Sequence, residues 1–486
     1  MRLAICLPLA VLMAGCSLAP AVQTPPPPVP ARFPHQGAGP ADAATVAAAD
    51  IGWKRMFGDP RLQRLIELAL EHNRDLRLAA LNVDALGAQY RIQRSSQWPG
   101  ASLEASTSRE RAGATGQGAP GAAAQAATST RHAVGLGLSA FEIDLFGRLR
   151  SLSEAAFARY LASEQGRHAA QLTLVGAVAD AYFAERLAQE QSRLAAQTLS
   201  DWQQSLQIAR LRSQAGQRSG LDVAQAEGQV ASAQADIEAR QREQARAGNA
   251  LQLLVGLPQW PDDLPDGLPL TQPAVLTRLP AGLPSQLLQV RPDIAQEEQR
   301  LRAAHADIGA ARAALFPQLS LTASLGYASP ALGSLFDAGS RTWRFTPQIT
   351  QPLFQAGRLR AEVRLAEVRK SEAVAQYERA IQTAFREVAD GLAGSATYER
   401  QVEAQSQVVD SAERRLALSG LRWRAGLDGR LEWLDAQRQL YAARQALLDL
   451  RRAELGNAVA LYKALGGGLC DQGARRAPAS LAEGRR

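Results

Sequence analysis

Few side chains in this sequence of 486 residues are placed for chemistry. Cysteine occurs only at 6, 16 and 470, and histidine only at 35, 72, 132, 168 and 305, none at ligand spacing. They make neither a Cys/His metal cluster nor a disulfide framework. There is no G-x-S-x-G, no H-E-x-x-H, no P-loop and no Cys/His pair placed for nucleophilic work, so an enzyme is disfavoured. The one thiol whose setting suggests a reaction is Cys16, which follows the apolar run Leu3–Ala14 and is flanked by Gly15 and Ser17. That run is too short for a membrane-spanning helix, which needs about 20 residues. With Arg2 in front it has the pattern of a signal peptide.

Met13-Ala14-Gly15-Cys16 resembles a bacterial lipobox, with Met13 where leucine is commoner. The resemblance implies cleavage before Cys16, with S-diacylglycerol and N-palmitoyl groups on that residue and no other cofactor. Ser17, where inner-membrane lipoproteins usually carry aspartate, implies an anchor in the outer membrane. A plain secretory signal with an incidental cysteine is the alternative. Cys6 leaves with the signal, and Cys470 reads as a plain thiol in the tail. The net charge of +7 comes almost wholly from arginine, since only Lys54, Lys370 and Lys463 are lysines. No concentrated basic stretch with interleaved aromatics points to nucleic acid.

Hydrophobic residues make up 46 % of the chain but aromatics only 5 %, a balance that favours long, closely packed helices. Beyond the signal no second apolar span appears; Leu172 to Ala184 is interrupted by Asp180. The positioning elements are written twice. The stretch from Asn73 resembles that from Arg291 at an offset of 218 residues. "DLFGRLR" (144–150) resembles "FQAGRLR" (354–360), and "LRSQAGQRSGLDVAQAE" (211–227) resembles "LRWRAGLDGRLEWLDAQ" (421–437), both at an offset of 210; "GNALQLLVG" recurs from Gly456. The order in each half is helix, strand, strand, long helical hairpin. The expected first helices are about 60–95 and 291–315, closed by Trp98-Pro99 and Phe316-Pro317.

Apolar and polar residues alternate at Leu103–Thr107, Val134–Leu138, Leu319–Tyr327 and Trp343–Leu353. The parity flips at Phe141, Ile143 and Leu145, which predicts a bulge or the end of pairing. Period two with one greasy and one small or polar face suits a transmembrane β-barrel, and the loops 109–132 and 328–341 would then be extracellular. From Arg148 to about Arg210, from Arg358 to about Leu421 and from Leu431 to Leu465 the sequence is free of proline. Sixty-odd helical residues make a rod of roughly 90 Å, long enough for a periplasm. The expected fold is mostly α with a transmembrane β portion. Four strands cannot close a barrel, for which about eight is the minimum. Two copies would give a filled barrel and three copies an open one. The small inward faces of Gly135, Gly137, Ser139, Ser320 and Ser324 favour a homotrimer with twelve strands.

With these features, "GWKRMFGDPRLQRLIELALEHNRDL" (52–76), "FEIDLFGRLR" (141–150), "QPLFQAGRLR" (351–360) and "LRWRAGLDGRLEWLDAQRQL" (421–440) resemble the outer-membrane efflux proteins of TolC type, lipoprotein branch, over nearly the whole mature chain. The resemblance implies a trimeric 12-stranded barrel continued by a periplasmic helical barrel, coupled to a periplasmic adaptor and an inner-membrane RND-type pump that exports drugs or other toxic small molecules. It also implies that function-bearing residues lie where the long helices reverse, at 211–222 and 421–432. Asp428 matches the family's constricting aspartate, and one carboxylate per copy would form an acidic ring; a turn-forming aspartate is the alternative. Arg212, Asp222, Arg422 and Arg424 are candidates for tip latches or adaptor contacts, or simply solvated helix faces. Arg218 stands where the first tip would carry its own aspartate, so a double ring is not expected.

The domain reading is signal 1–15, lipid anchor and Pro-rich tether 16–50, first repeat 51–255, equatorial linker 256–290, second repeat 291–465 and tail 466–486. The linker and tail are expected to wrap the helical barrel. Two other functions fit the residues: the duct of a type I protein-secretion system, and a helical envelope scaffold without a lumen.

Overall fold

The computed structural model describes residues 18–21, 24–34, 50–111, 128–216, 219–272, 275–280, 284–425, 427 and 429–467. Cys16, Arg218, Asp428 and Cys470 lie outside the described residues, as does the side chain of Ser139. The helices are α1 (Trp53–Met56), α2 (Pro60–His72), α3 (Arg74–Ser95), α4 (Arg148–Gln214), α5 (Gly220–Val255), α6 (Pro284–Val290), α7 (Pro292–Ala313), α8 (Arg358–Arg424) and α9 (Arg430–Ala464). The strands are β1 (Ser102–Arg111), β2 (Thr128–Ile143), β3 (Gln318–Ser329) and β4 (Arg341–Thr350). Contacts divide the chain into two compact units, Met1–Pro25 with Val83–Ser163 and Glu297–Tyr377, and Pro26–Asn82 with Glu164–Gln296 and Glu378–Arg486. Each draws on both halves of the sequence.

In the first unit the strands form one antiparallel sheet in the order β1-β2-β3-β4. Its register lines Leu103, Leu136, Leu325 and Trp343 in a single row across all four strands. Phe141, Leu321 and Pro347 form a second row, and Ile143, Leu319 and Ile349 a third. The opposite face carries Ser102, Gly137, Ser324 and Arg344 in one row and Glu104, Gly135, Gly326 and Thr342 in another. Yet the greasy rows are not buried, since Leu103 is 72 % exposed and Trp343 77 %. A soluble sheet would cover such a face; a lipid-facing one would not. The predicted parity flip is a register shift between Leu138 and Phe141, where Ala140 takes a φ of 47° and its N–H donates to Thr322 Oγ1 at 3.2 Å.

Around the base of the sheet, α7 packs on two neighbours. Arg159 of α4 forms an ion pair with Asp307, and His305 lies near Lys370 of α8. Leu301, His305 and Ile308 are accordingly buried. Helix α3, the counterpart of α7 in the first repeat, has no buried residue at all, and Ile92 is 71 % exposed.

In the second unit, a single helix over 60–95 is not what forms. The chain breaks at Asn73, whose ψ of 130° is extended. The break is stabilised because Asn73 Oδ1 accepts from Leu76 N at 2.9 Å and its Nδ2 donates to Leu254 O at 2.8 Å. The second repeat does the same with another side chain: α6 and α7 are separated at Arg291, which donates to Ala464 O at 2.9 Å. Asn73 and Arg291 are 218 residues apart, and Leu254 and Ala464 are 210 apart, so one contact is made twice. Gly256 and Gly466, each two residues beyond, have φ of 78° and 83°. A Cβ on Gly256 would stand 2.7 Å from His72 O.

Asp59 holds the equatorial segment to α2. It is 1 % exposed, caps the helix by accepting from Arg61 N and Leu62 N, and also accepts from Leu268 N at 2.9 Å and from the Tyr182 hydroxyl at 2.5 Å. Phe57 bridges Val275 in the same segment. The Pro-rich stretch is less free than its composition suggests: Phe33 is 5 % exposed and stacks on Phe385 at 5.0 Å.

Glu185, on α4, is 8 % exposed, and its Oε2 has no hydrogen-bond partner among the described residues. Burial pushes its carboxyl above the usual range, against the pull of Arg61 and Arg186. A raised native value means the folded state binds the proton more tightly, so this group costs stability as pH rises through that value. Glu185→Gln is therefore expected to raise stability at pH 7.5 by about 1 kcal/mol. The gain should vanish below pH ~4, where both states hold the proton. Thermal unfolding at the two pH values checks it.

Candidate functional site: the hairpin tips

The long helices reverse at two adjacent turns. In the first, Ala215 N donates to Leu211 O at 3.1 Å and Gly216 has a φ of 67°. Ser219 then caps α5, its Oγ accepting from Leu221 N at 2.9 Å. In the second turn Ala425 N donates to Leu421 O at 3.0 Å and Leu427 N to Arg422 O at 2.9 Å. Behind the turns Trp202, Leu206 and Ala209 of α4, Ala226 and Val230 of α5 and Leu434 of α9 form one apolar cluster.

Above this cluster lies a three-layer stack. The guanidinium of Arg212 lies 4.7 Å from the centre of the Trp423 ring, and Trp423 lies on Trp433 at 5.0 Å and 5° from parallel. Gly420 leaves room for it, since a Cβ there would stand 3.3 Å from Trp433 Nε1. Arg430, 8 % exposed, donates to Asp222 O at 3.0 Å. Arg212, Asp222, Trp423 and Arg430 line one small cavity. One turn of each of the four helices is thereby tied to another by a cation–π contact, a ring stack or a charged hydrogen bond.

Of the residues singled out from sequence, Arg212 and Asp222 are brought together here. Arg212 meets an indole ring, while Asp222 offers its carbonyl. Arg422 and Arg424 are exposed, and Arg424 Nε donates back to Gly420 O at 3.2 Å. Sequence reasoning passed over Trp423, Arg430 and Trp433. The signal was available in the repeat, where the equivalent positions are Ser213, Gly220 and Val223. These are three of the positions at which the second tip departs from the first, and two of them, Trp423 and Trp433, build the stack.

A sheet with an uncovered greasy face and helices of 67 residues fit a protein of the outer membrane. Comparison with known proteins gives the same class. The outer membrane efflux protein family matches residues 65–257 and 283–467. The chain is 45 % identical to a probable efflux pump outer membrane protein, TtgC of Pseudomonas putida, covering 95 % of each, and 41 % identical to the outer membrane protein OprJ of Pseudomonas aeruginosa, covering 95 % of this chain and 94 % of that one. It superposes on the open-state MtrE outer membrane channel of Neisseria gonorrhoeae with a TM-score of 0.84 at 40 % identity, covering 93 % of this chain and 99 % of that one. The chain belongs to the outer membrane efflux protein family, and its place is the outer membrane.

Proposed function

We propose that three copies of this chain form the outer-membrane channel of a tripartite efflux pump, coupled to a periplasmic adaptor and an inner-membrane RND-type pump. The exported substrates are apolar or amphipathic toxic small molecules. Two relatives, both 45 % identical, support that substrate class by their names, a toluene efflux pump outer membrane protein (TtgC) and an antibiotic efflux pump outer membrane protein (ArpC) of Pseudomonas putida.

The observation that carries the reading is the repeat itself. Strand β2 of the first repeat pairs with β3 of the second, and α7 packs between α4 and α8. The same two relations, continued, would place another repeat beside β4 and α3, and a second copy of the chain can supply it. The α8 counterparts of Ser151 and Arg159 are Ala361 and Arg369, both exposed, as expected of a surface awaiting α3 of a neighbour. Applying the observed pairings to the free edges puts Ile349 opposite the partner's Ala105 and Arg344 opposite the partner's Glu110. The second is an opposite-charge pair on the polar face. Three copies close the ring with twelve strands, whereas eight would be filled by their own side chains.

In this reading Cys16 carries the lipid, and Asp428 supplies one carboxylate to a ring at the closed tip. Arg212, Asp222, Arg422 and Arg424 act where the hairpins meet each other or the adaptor. Conductance of the purified protein in planar bilayers tests it. Discrete cation-selective steps are expected, with selectivity lost in Asp428→Ala; silence from folded protein would overturn the channel reading. Trp423→Ala, which removes the middle of the stack, is expected to raise the fraction of time spent in the larger conductance state at least about fivefold, the effect of losing roughly 1 kcal/mol. Single-channel recording of the two proteins side by side checks it.

A further inference from the structure

Gly309 lies near the end of α7, which stops at Ala313 just before β3 begins at Gln318. A Cβ at Gly309 would stand 2.8 Å from Ala19 Cβ, 3.0 Å from Ala19 Cα and 2.8 Å from Ser151 Oγ of α4. The chain's own N-terminal segment thus occupies the space that any other residue at 309 would fill. Leu18, Ala19 and Pro20 are half-buried there, and Ser151 beneath them is 2 % exposed. The repeat adds an independent argument. The positions equivalent to Gly309 and Ser151 are Arg91 and Ala361, so a notch exists in one repeat only. A chain has one N-terminus, and it has one notch.

We propose that the α4/α7 groove at Gly309 is a docking seat for residues 18–21, and that it fixes the lipid attachment point beside the periplasmic base of the sheet. Cys16 stands three positions before Ala19, a span that reaches no further than about 10 Å. A lipid on Cys16 would then enter the inner leaflet within that reach of the seat. This inference rests on the reading of Cys16 as acylated.

The test uses full-length protein in isolated outer membranes, with Cys470→Ser so that the engineered thiol is the only free one. Ala19→Cys is labelled with a membrane-impermeant maleimide, with and without Gly309→Leu. The bulkier residue should make labelling roughly tenfold faster by expelling the segment. Because Gly309→Leu could disturb α7 itself, a second pair leaves that helix untouched. Ser151→Cys is labelled with and without Ala19→Trp, and the same direction and size are expected. Rates unchanged within about twofold in both pairs would overturn the seat. The mass of the N-terminal peptide is measured on the same samples. An unmodified Cys16 would overturn the lipid reading separately, whatever the labelling shows.

Discussion

Gly326→Val is expected to abolish assembly of the sheet, and with it outer-membrane export. Gly326 faces Gly135 directly across the β2–β3 pair. A Cβ at 326 would lie 2.2 Å from Val134 O and 2.5 Å from Gly135 Cα, both backbone atoms of the neighbouring strand. No rotamer relieves that contact, so the strands must separate where the sheet passes from the first repeat to the second. The cost is at least about 3 kcal/mol, the upper end of overpacking penalties. A comparison isolates the cause. A Cβ on Gly137, also on the polar face, meets nothing closer than Ser102 Oγ at 3.7 Å. Gly137→Ser should therefore assemble normally. The amount of folded protein in purified outer membranes distinguishes the two variants.

Arg291→Leu is expected to be the most destabilising change in the helical part. Arg291 is 7 % exposed, pairs with Asp293 at 2.6 Å and Glu387 at 2.8 Å, and donates to the carbonyl of Ala464. Removing the guanidinium leaves Glu387, half-buried, without its cation and frees the end of α9. Breaking a buried pair in this way costs about 3–5 kcal/mol. Asn73→Ala removes the equivalent contact in the first repeat, but with neutral hydrogen bonds only, and should cost about 1–2 kcal/mol. Arg291→Asn, which installs the first repeat's residue, should recover part of the loss. Thermal unfolding of the four proteins gives the order directly.

Much of this architecture was legible because the sequence states it twice. Alternation in 319–327 and 343–353 located two strands, and the flip at Phe141 located the bulge. Proline-free runs located the long helices to within a few residues. What escaped notice was tertiary in origin. The break at Asn73 depends on a carbonyl at Leu254, far along the chain, and no local propensity announces it. The stack of Arg212, Trp423 and Trp433 joins three helices, and two tryptophans in helical sequence look like ordinary packing until the turns bring them together. Likewise the composition of the Pro-rich tether gave no sign that Phe33 and Ala19 find their sites on distant helices.

The central claim is that copies of this chain join β4 to β1 and so enclose a duct. Its most direct test is oxidative cross-linking of Gln348→Cys with Ser106→Cys in one chain, in outer membranes, with Cys470→Ser. The register derived from the repeat sets these residues directly opposite each other across the joint, with Cβ atoms about 5 Å apart. A non-reducing gel should then show covalent dimers and a closed trimer. Gln348→Cys with Glu110→Cys, about four residues out of register, should show neither. Cross-linking of the second pair instead of the first, or of neither in folded protein, would contradict the account.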